Sequence, residues 1–265
     1  MIIDIHTHAW PDKVSQKAQE ALESNYAVKL VGNPTIRTLR SFMEKNEIDI
    51  SVICAVASRP DQVPSINDWL FSLKDPWIKF FAALHPDYSD WKKELQRIKQ
   101  KTFGIKLQPS FQEFYVDDEK VFPLYEELER LGLIVLFHSG DELSPLMEVR
   151  ATPKRLAKVR EKFPGLKMIA AHFGGFKFWD EVREYLLGKD IYFDTSAFFG
   201  YLPDAEAKDL ILKHRADRIL FGTDFPIVDQ RRDLDYLERL GLPEDLNSRI
   251  LFQNALALLT KVTTS

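Results

Sequence analysis

The chain has 265 residues, 45% hydrophobic and 29% charged, with 11 glycines and 14 prolines, which excludes collagen-like, disulfide-framework and disordered classes. Its 36 basic and 40 acidic residues give a formal net charge of −4. That balance offers no footprint for a polyanion, so nucleic acid is disfavoured as the main ligand.

Met1 leads straight into Ile2-Ile3-Asp4-Ile5, without a basic leader or an apolar stretch of helix length. A cytoplasmic location with no membrane partner is therefore expected. From there, short apolar runs rich in β-branched residues recur at Met1 to His6, Ile50 to Ala57, Lys79 to Leu84, Gly104 to Leu107, Leu133 to Phe137, Lys167 to Ala171, Ile191 to Asp194 and Arg218 to Phe221. Their spacing, 23 to 48 residues from start to start, is the span of one strand, one helix and two loops. Between them the apolar period turns helical. Leu124, Leu128 and Leu131 share one face, Thr152-Pro153 pairs an N-cap with a first-turn proline, and Pro203-Asp204 and Pro243-Glu244 open two further helices.

Eight βα units in one chain of this length predict an α/β fold, a (β/α)8 TIM barrel forming one domain over 1–265. An open doubly wound sheet is the alternative. It is disfavoured because His6-Thr7-His8, not a glycine-rich phosphate turn, follows the first strand. An extra loop or helix is expected at about 10–32 and a terminal helix at about 244–259. That apolar terminal helix is expected to pack on its own barrel, with a homodimer as the other outcome.

In a parallel barrel, functional groups gather where strands end. Five of the six histidines lie at predicted strand ends: His6, His8, His85, His138 and His172. His6 and His8, two apart on a strand, face one way and can converge on one ion. The last strand, which neighbours the first in a closed ring, runs into Asp224. Three imidazoles and a carboxylate suit one divalent ion, with Zn²⁺ favoured over Mn²⁺, Fe²⁺ or Co²⁺ on donor type. Cys54, inside an apolar run, reads as a buried hydrophobe.

The ordered set Asp4-x-His6-x-His8, Gly104-Ile105-Lys106-Leu107-Gln108-Pro109, Phe137-His138-Ser139-Gly140, Ala171-His172-Phe173-Gly174-Gly175 and Phe221-Gly222-Thr223-Asp224-Phe225-Pro226 resembles the amidohydrolase superfamily, in its amidohydrolase-2 branch. The resemblance implies a distorted barrel with one metal on His6, His8, His138 and Asp224, and His172 beside the metal-bound water. It also implies a scaffold that hosts both hydrolases and non-oxidative decarboxylases. In other branches a lysine at the end of the fourth strand becomes carboxylated and bridges two metals; here Lys106, with Gln108 two positions on, is read as lining the pocket.

The chain is accordingly expected to be a metal-dependent hydrolase of an amide, ester or lactone in a small-molecule substrate. Asp224 and His172 would be its catalytic groups, working on metal-activated water. The alternative is a metal-dependent decarboxylase of a small carboxylic acid, and a non-catalytic metal-stabilised barrel is the least favoured reading. Arg59, His85, Lys106, Trp10 and Phe198 are the candidate substrate contacts, with Arg59 the expected carboxylate clamp and Phe111, Tyr115 and Phe199 further aromatic wall.

Overall fold

The computed structural model describes residues 1–142 and 148–259. Each β-branched run becomes a buried strand: β1 Ile3–Thr7, β2 Ile50–Cys54, β3 Ile78–Ala83, β4 Gly104–Leu107, β5 Ile134–Phe137, β6 Lys167–Ala170, β7 Tyr192–Asp194 and β8 Ile219–Leu220. All are parallel and pair in sequence order. The ring closes between β1 and the segment after β8, where Ile5 N donates to Phe221 O at 2.9 Å, Asp224 N to His6 O at 2.8 Å and His8 N to Phe225 O at 2.7 Å. The predicted single α/β TIM barrel is the observed architecture.

Buried on both faces, such strands need apolar side chains inside and out. Inside, Ile3, Ile5, Val52, Cys54, Phe81, Ile134, Leu136, Ile169, Ala171 and Leu220 form one cluster, and Cys54 is among them as a buried thiol. Outside, the helices pack their apolar stripes on the strands: α1 Asp12–Tyr26, α2 Ile36–Lys45, α3 Val63–Ser72, α4 Trp91–Ile98, α5 Phe122–Arg130, α6 Pro153–Lys162, α7 Trp179–Glu181, α8 Asp204–Lys213, α9 Gln230–Arg239, α10 Glu244–Ser248 and α11 Asn254–Leu258. Thr152 caps α6 as its sequence suggests, its hydroxyl accepting from Arg155 N at 3.4 Å.

Two features of the chain ends position the site. The helix α1 fills the expected insertion after β1, and its Leu22 and Tyr26 reach over the barrel mouth. At the other pole, Ala255, Leu258 and Leu259 pack into the interior cluster and cover the base, so the terminal helix serves its own barrel. The barrel is thus closed below and open above. Among the described residues no helix is long and apolar enough to cross a membrane.

Candidate metal centre

The strand ends of β1, β4, β5, β6 and β8 all deliver side chains to one cleft at the barrel mouth, which is lined by His6, His8, Lys106, Gln108, His138, His172 and Asp224. Trp10, Leu22, Val56, Phe111, Phe176 and Ile227 supply its apolar wall, and Tyr26, Asp141, Glu142 and Tyr201 its polar rim.

The His6 and His8 rings stand 5.2 Å apart. Asp224 Oδ1 lies 3.0 Å from His8 Nε2 and 3.6 Å from His6 Nε2. These three residues each present a donor atom within 4.8 Å of the other two. His6 is oriented from behind: its Nδ1–H donates to Asp194 Oδ2 at 3.0 Å, which leaves the Nε2 lone pair facing the cleft. Burial, then the Lys106 charge, pushes the His6 pKa down to about 4, so the ring is a neutral ligand at neutral pH. Burial would raise Asp224, but the His8 hydrogen bond and the surrounding imidazoles of His6, His8 and His172 outweigh it and hold the carboxyl well below its usual range. A neutral His6 imidazole and an ionised carboxylate are donor forms that a divalent cation requires, and with His8 beside them the residues fit one.

His138 does not join this trio at the same spacing. Its Nε2–H donates to the Asp141 carbonyl at 3.3 Å, so in the neutral ring Nδ1 keeps its lone pair, turned toward His172 Nε2 at 3.0 Å. His172 in turn meets Ser196 Oγ through Nδ1 at 2.9 Å. Burial is the main cause that depresses both pKa values.

Backbone strain is concentrated here. His172 and Asp224 both adopt left-handed φ, 58° and 63°, an uncommon conformation for residues with a Cβ. Each is pinned: Asp194 Oδ1 accepts from His172 N at 3.1 Å, and Asp224 N donates to His6 O. Asp4 fixes the approach to Asp224, accepting from Thr223 N at 3.1 Å, Thr223 Oγ1 at 2.7 Å and Gln230 Nε2 at 2.8 Å. Asp4 in the Asp-x-His-x-His motif is therefore a support for β8 and does not point at the ion site.

Beside that support lies Asp233, wholly buried, with Arg232 Nε on Oδ1 at 2.9 Å and no partner on Oδ2. Burial raises its pKa to about 7. A raised folded-state value means that the unfolded chain releases this proton first, so the group costs stability increasingly as pH rises from the free value toward 7. Asp233→Asn should therefore gain on the wild type between pH 5 and pH 8, by about 2 kcal/mol. Urea unfolding of both proteins at the two pH values measures this. A pH-independent difference would contradict it.

Of the proposed substrate contacts, Lys106 and Trp10 line the cleft, as does Phe111. Trp10 stacks on His8 with ring centres 5.9 Å apart. Lys106, fully buried, sets Nζ 3.3 Å from His6 Nε2. The other three are elsewhere. Arg59 is 64% exposed and bound to Asp61 at 3.1 Å, because it lies beyond the strand on a loop where its nearest acid captures it. His85 is buried away from the cleft lining, and its Nδ1 accepts from Asp87 N at 3.1 Å as a turn cap. Phe198 is core, stacked on Phe173 at 4.0 Å. Tyr115 and Phe199 also lie off the cleft lining. Tyr115 sits under Arg150 and Arg155, and Phe199 stacks on Tyr236.

Sequence reasoning missed Asp194, Ser196, Tyr26 and Glu142. Asp194 ends β7, so the strand-end rule would have found it had carboxylates been sought at every strand. Tyr26 and Glu142 carry no such signal, since one sits on the inserted helix and the other in a loop.

The family profile described as "Amidohydrolase" (Amidohydro_2) matches residues 3–261. No curated protein matches the sequence. Among solved structures, an uncharacterised TIM-barrel protein from Bordetella bronchiseptica superposes with a TM-score of 0.73 at 18% identity, covering 97% of this chain and 98% of that one. A 2,6-dihydroxybenzoate decarboxylase from Rhizobium gives 0.70 at 19%, covering 97% and 98%. A dihydroxybenzoic acid decarboxylase from Polaromonas, with bound manganese and the inhibitor 2-nitroresorcinol, gives 0.69 at 19%, covering 97% and 96%. At these identities the likeness establishes the fold.

Proposed function

Since this chain belongs to the amidohydrolase family of metal-dependent enzymes, we propose that it is a non-oxidative decarboxylase of a small aromatic acid. The expected ordering, hydrolase first, is thereby reversed. One observation carries the reading: Lys106. Among the described residues it makes no ion pair, yet its ammonium is buried beside the ligand face of His6. Burial disfavours the charged form of Lys106, and a cation held on His6 would disfavour it further unless an anion lies beside it. A substrate carboxylate held by Lys106, next to the ion that His6, His8 and Asp224 would hold, meets that need, whereas a neutral amide or ester does not. The aromatic wall of Trp10, Phe111 and Phe176 suits a flat ring, and two of the structural neighbours named above are aromatic acid decarboxylases.

Bound at this site, a divalent ion supplies Lewis-acid stabilisation of the negative charge that develops as CO₂ departs. Lys106 orients the carboxylate, and the aromatic wall and α1 exclude bulk water. The ring–carboxyl bond breaks with its electron pair left on the ring carbon, and that carbon takes up one proton. Asp224, held ionised, cannot store this proton. It relays one from water at the cleft mouth to the carbon as the carbon becomes basic, the hydroxide left behind combining with the released CO₂ as bicarbonate, while His172, linked to Ser196 and His138, keeps the neighbouring rings in register. Zn²⁺ remains the ion that the donor types favour, with Mn²⁺, bound by one neighbour, as its competitor.

The test offers the metal-loaded protein a panel of aromatic acids, with CO₂ release recorded, and in parallel a panel of lactones, esters and amides. CO₂ release from at least one acid and no hydrolysis is the expected result. Hydrolysis without CO₂ release would return the assignment to the hydrolase reading.

A further inference from the structure

The cleft has a second pole that decarboxylation does not use. Glu142 and Gln108 are 3% and 4% exposed and line the cleft. Among the described residues, Glu142 Oε1, Glu142 Oε2 and Gln108 Oε1 have no hydrogen-bond donor. We infer that this pole receives an amino group of the substrate, so that the enzyme takes an amino-substituted aromatic acid; the inference rests on the reading of Lys106 as the carboxylate anchor.

The neighbouring donors fall short of the acceptors. His138 Nε2 comes within 3.1 Å of Glu142 Oε1, but its N–H is directed to the Asp141 carbonyl. Ser110 Oγ stands beside Glu142, but its one proton goes to the Glu148 carbonyl at 3.0 Å. The Tyr26 hydroxyl stands beside both Glu142 and Gln108, and it has one proton for three oxygens. The pole is held in place by the backbone: Gln108 N donates to Gln112 Oε1 at 2.9 Å, while Gln112 Nε2 anchors to the Ala57 and Leu84 carbonyls at 2.8 and 2.7 Å.

Buried acceptors without donors are costly, each by about 1–3 kcal/mol, and a ligand that supplies the donors recovers that cost. An amino group brings at least two N–H bonds and can reach Glu142 and Gln108 together. A hydroxyl brings one, and a second carboxylate brings none. The cleft therefore has an acid-binding end at Lys106 and an amine-binding end at Glu142.

Calorimetry on the metal-loaded protein tests this with benzoate, the three aminobenzoates, the three hydroxybenzoates, aniline and phenol. At least one aminobenzoate should bind about tenfold more tightly than benzoate and than its hydroxy counterpart. In Glu142→Leu the amino-to-unsubstituted ratio should fall below about threefold, and in Glu142→Gln, which keeps the shape and removes the charge, it should at least halve. An advantage below about threefold for every isomer in the wild type, or one that survives in whichever of the two variants folds, would overturn the inference. Failure of the acid reading looks different: benzoate would not bind, while aniline would still outbind phenol. Benzoate binding with no amine advantage sinks the amine pole alone.

Discussion

Asp224→Asn should lower CO₂ release by about a thousandfold or more while the protein stays folded. The substitution keeps the side chain's shape and its place beside His8 but removes the negative charge. Asp224 is held ionised at neutral pH despite its burial, because His8 donates to it and His6 and His172 surround it. That charge is what a dication between His6 and His8 is attracted to, and Oδ1 is the atom on which both imidazoles converge. The amide also cannot accept and pass on the proton that the ring carbon needs. Elemental analysis of the variant should give clearly less than one ion per chain. A full complement of metal together with near-native turnover would remove Asp224 from both roles.

Lys106→Met should divide kcat/KM for the acid substrate by about a hundred to a thousand, the size expected when one partner of a buried charge pair is removed. The same change should leave the substrate-free protein at least as stable as the wild type. Among the described residues Lys106 has no ion-pair partner in the free cleft, and burial drives its pKa down. A methionine of similar length avoids that desolvation. Opposite movements of activity and stability are characteristic of a residue retained for its ligand. Unchanged kcat/KM, or a melting temperature several degrees below the wild type, would mark Lys106 as a structural lysine and leave the decarboxylase reading without its support.

The barrel was legible because each β-branched run is followed by a helix-period segment with its own start signal, and closure then brings β8 beside β1. His6, His8 and Asp224 meet for that reason alone. The strand parity that turned Lys106 and Gln108 toward one face holds as well, since both line the cleft. Parity stops informing where strands stop. Arg59 lies five residues past Cys54, and its direction is set by Asp61, while Phe198 turns inward onto Phe173 because the β7 loop doubles back under left-handed Ala197. Glu142 and Tyr26 were out of reach on the same grounds. Both enter the cleft from segments with no periodic relation to the strands, and only folded coordinates bring α1 over the mouth. The expected hydrolase lost ground on the basic group: Arg59 is absent from the cleft lining, and Lys106 is in it.

The most direct measurement strips the protein with a chelator and returns a divalent ion in fractions of an equivalent, following bound metal and CO₂ release from the best aromatic acid together. One site built from His6, His8 and Asp224 predicts no release from the stripped protein and a linear rise that ends at one ion per chain, for whichever of Zn²⁺ or Mn²⁺ is active. Release that persists in the stripped protein, or that climbs until a second equivalent is bound, would contradict it.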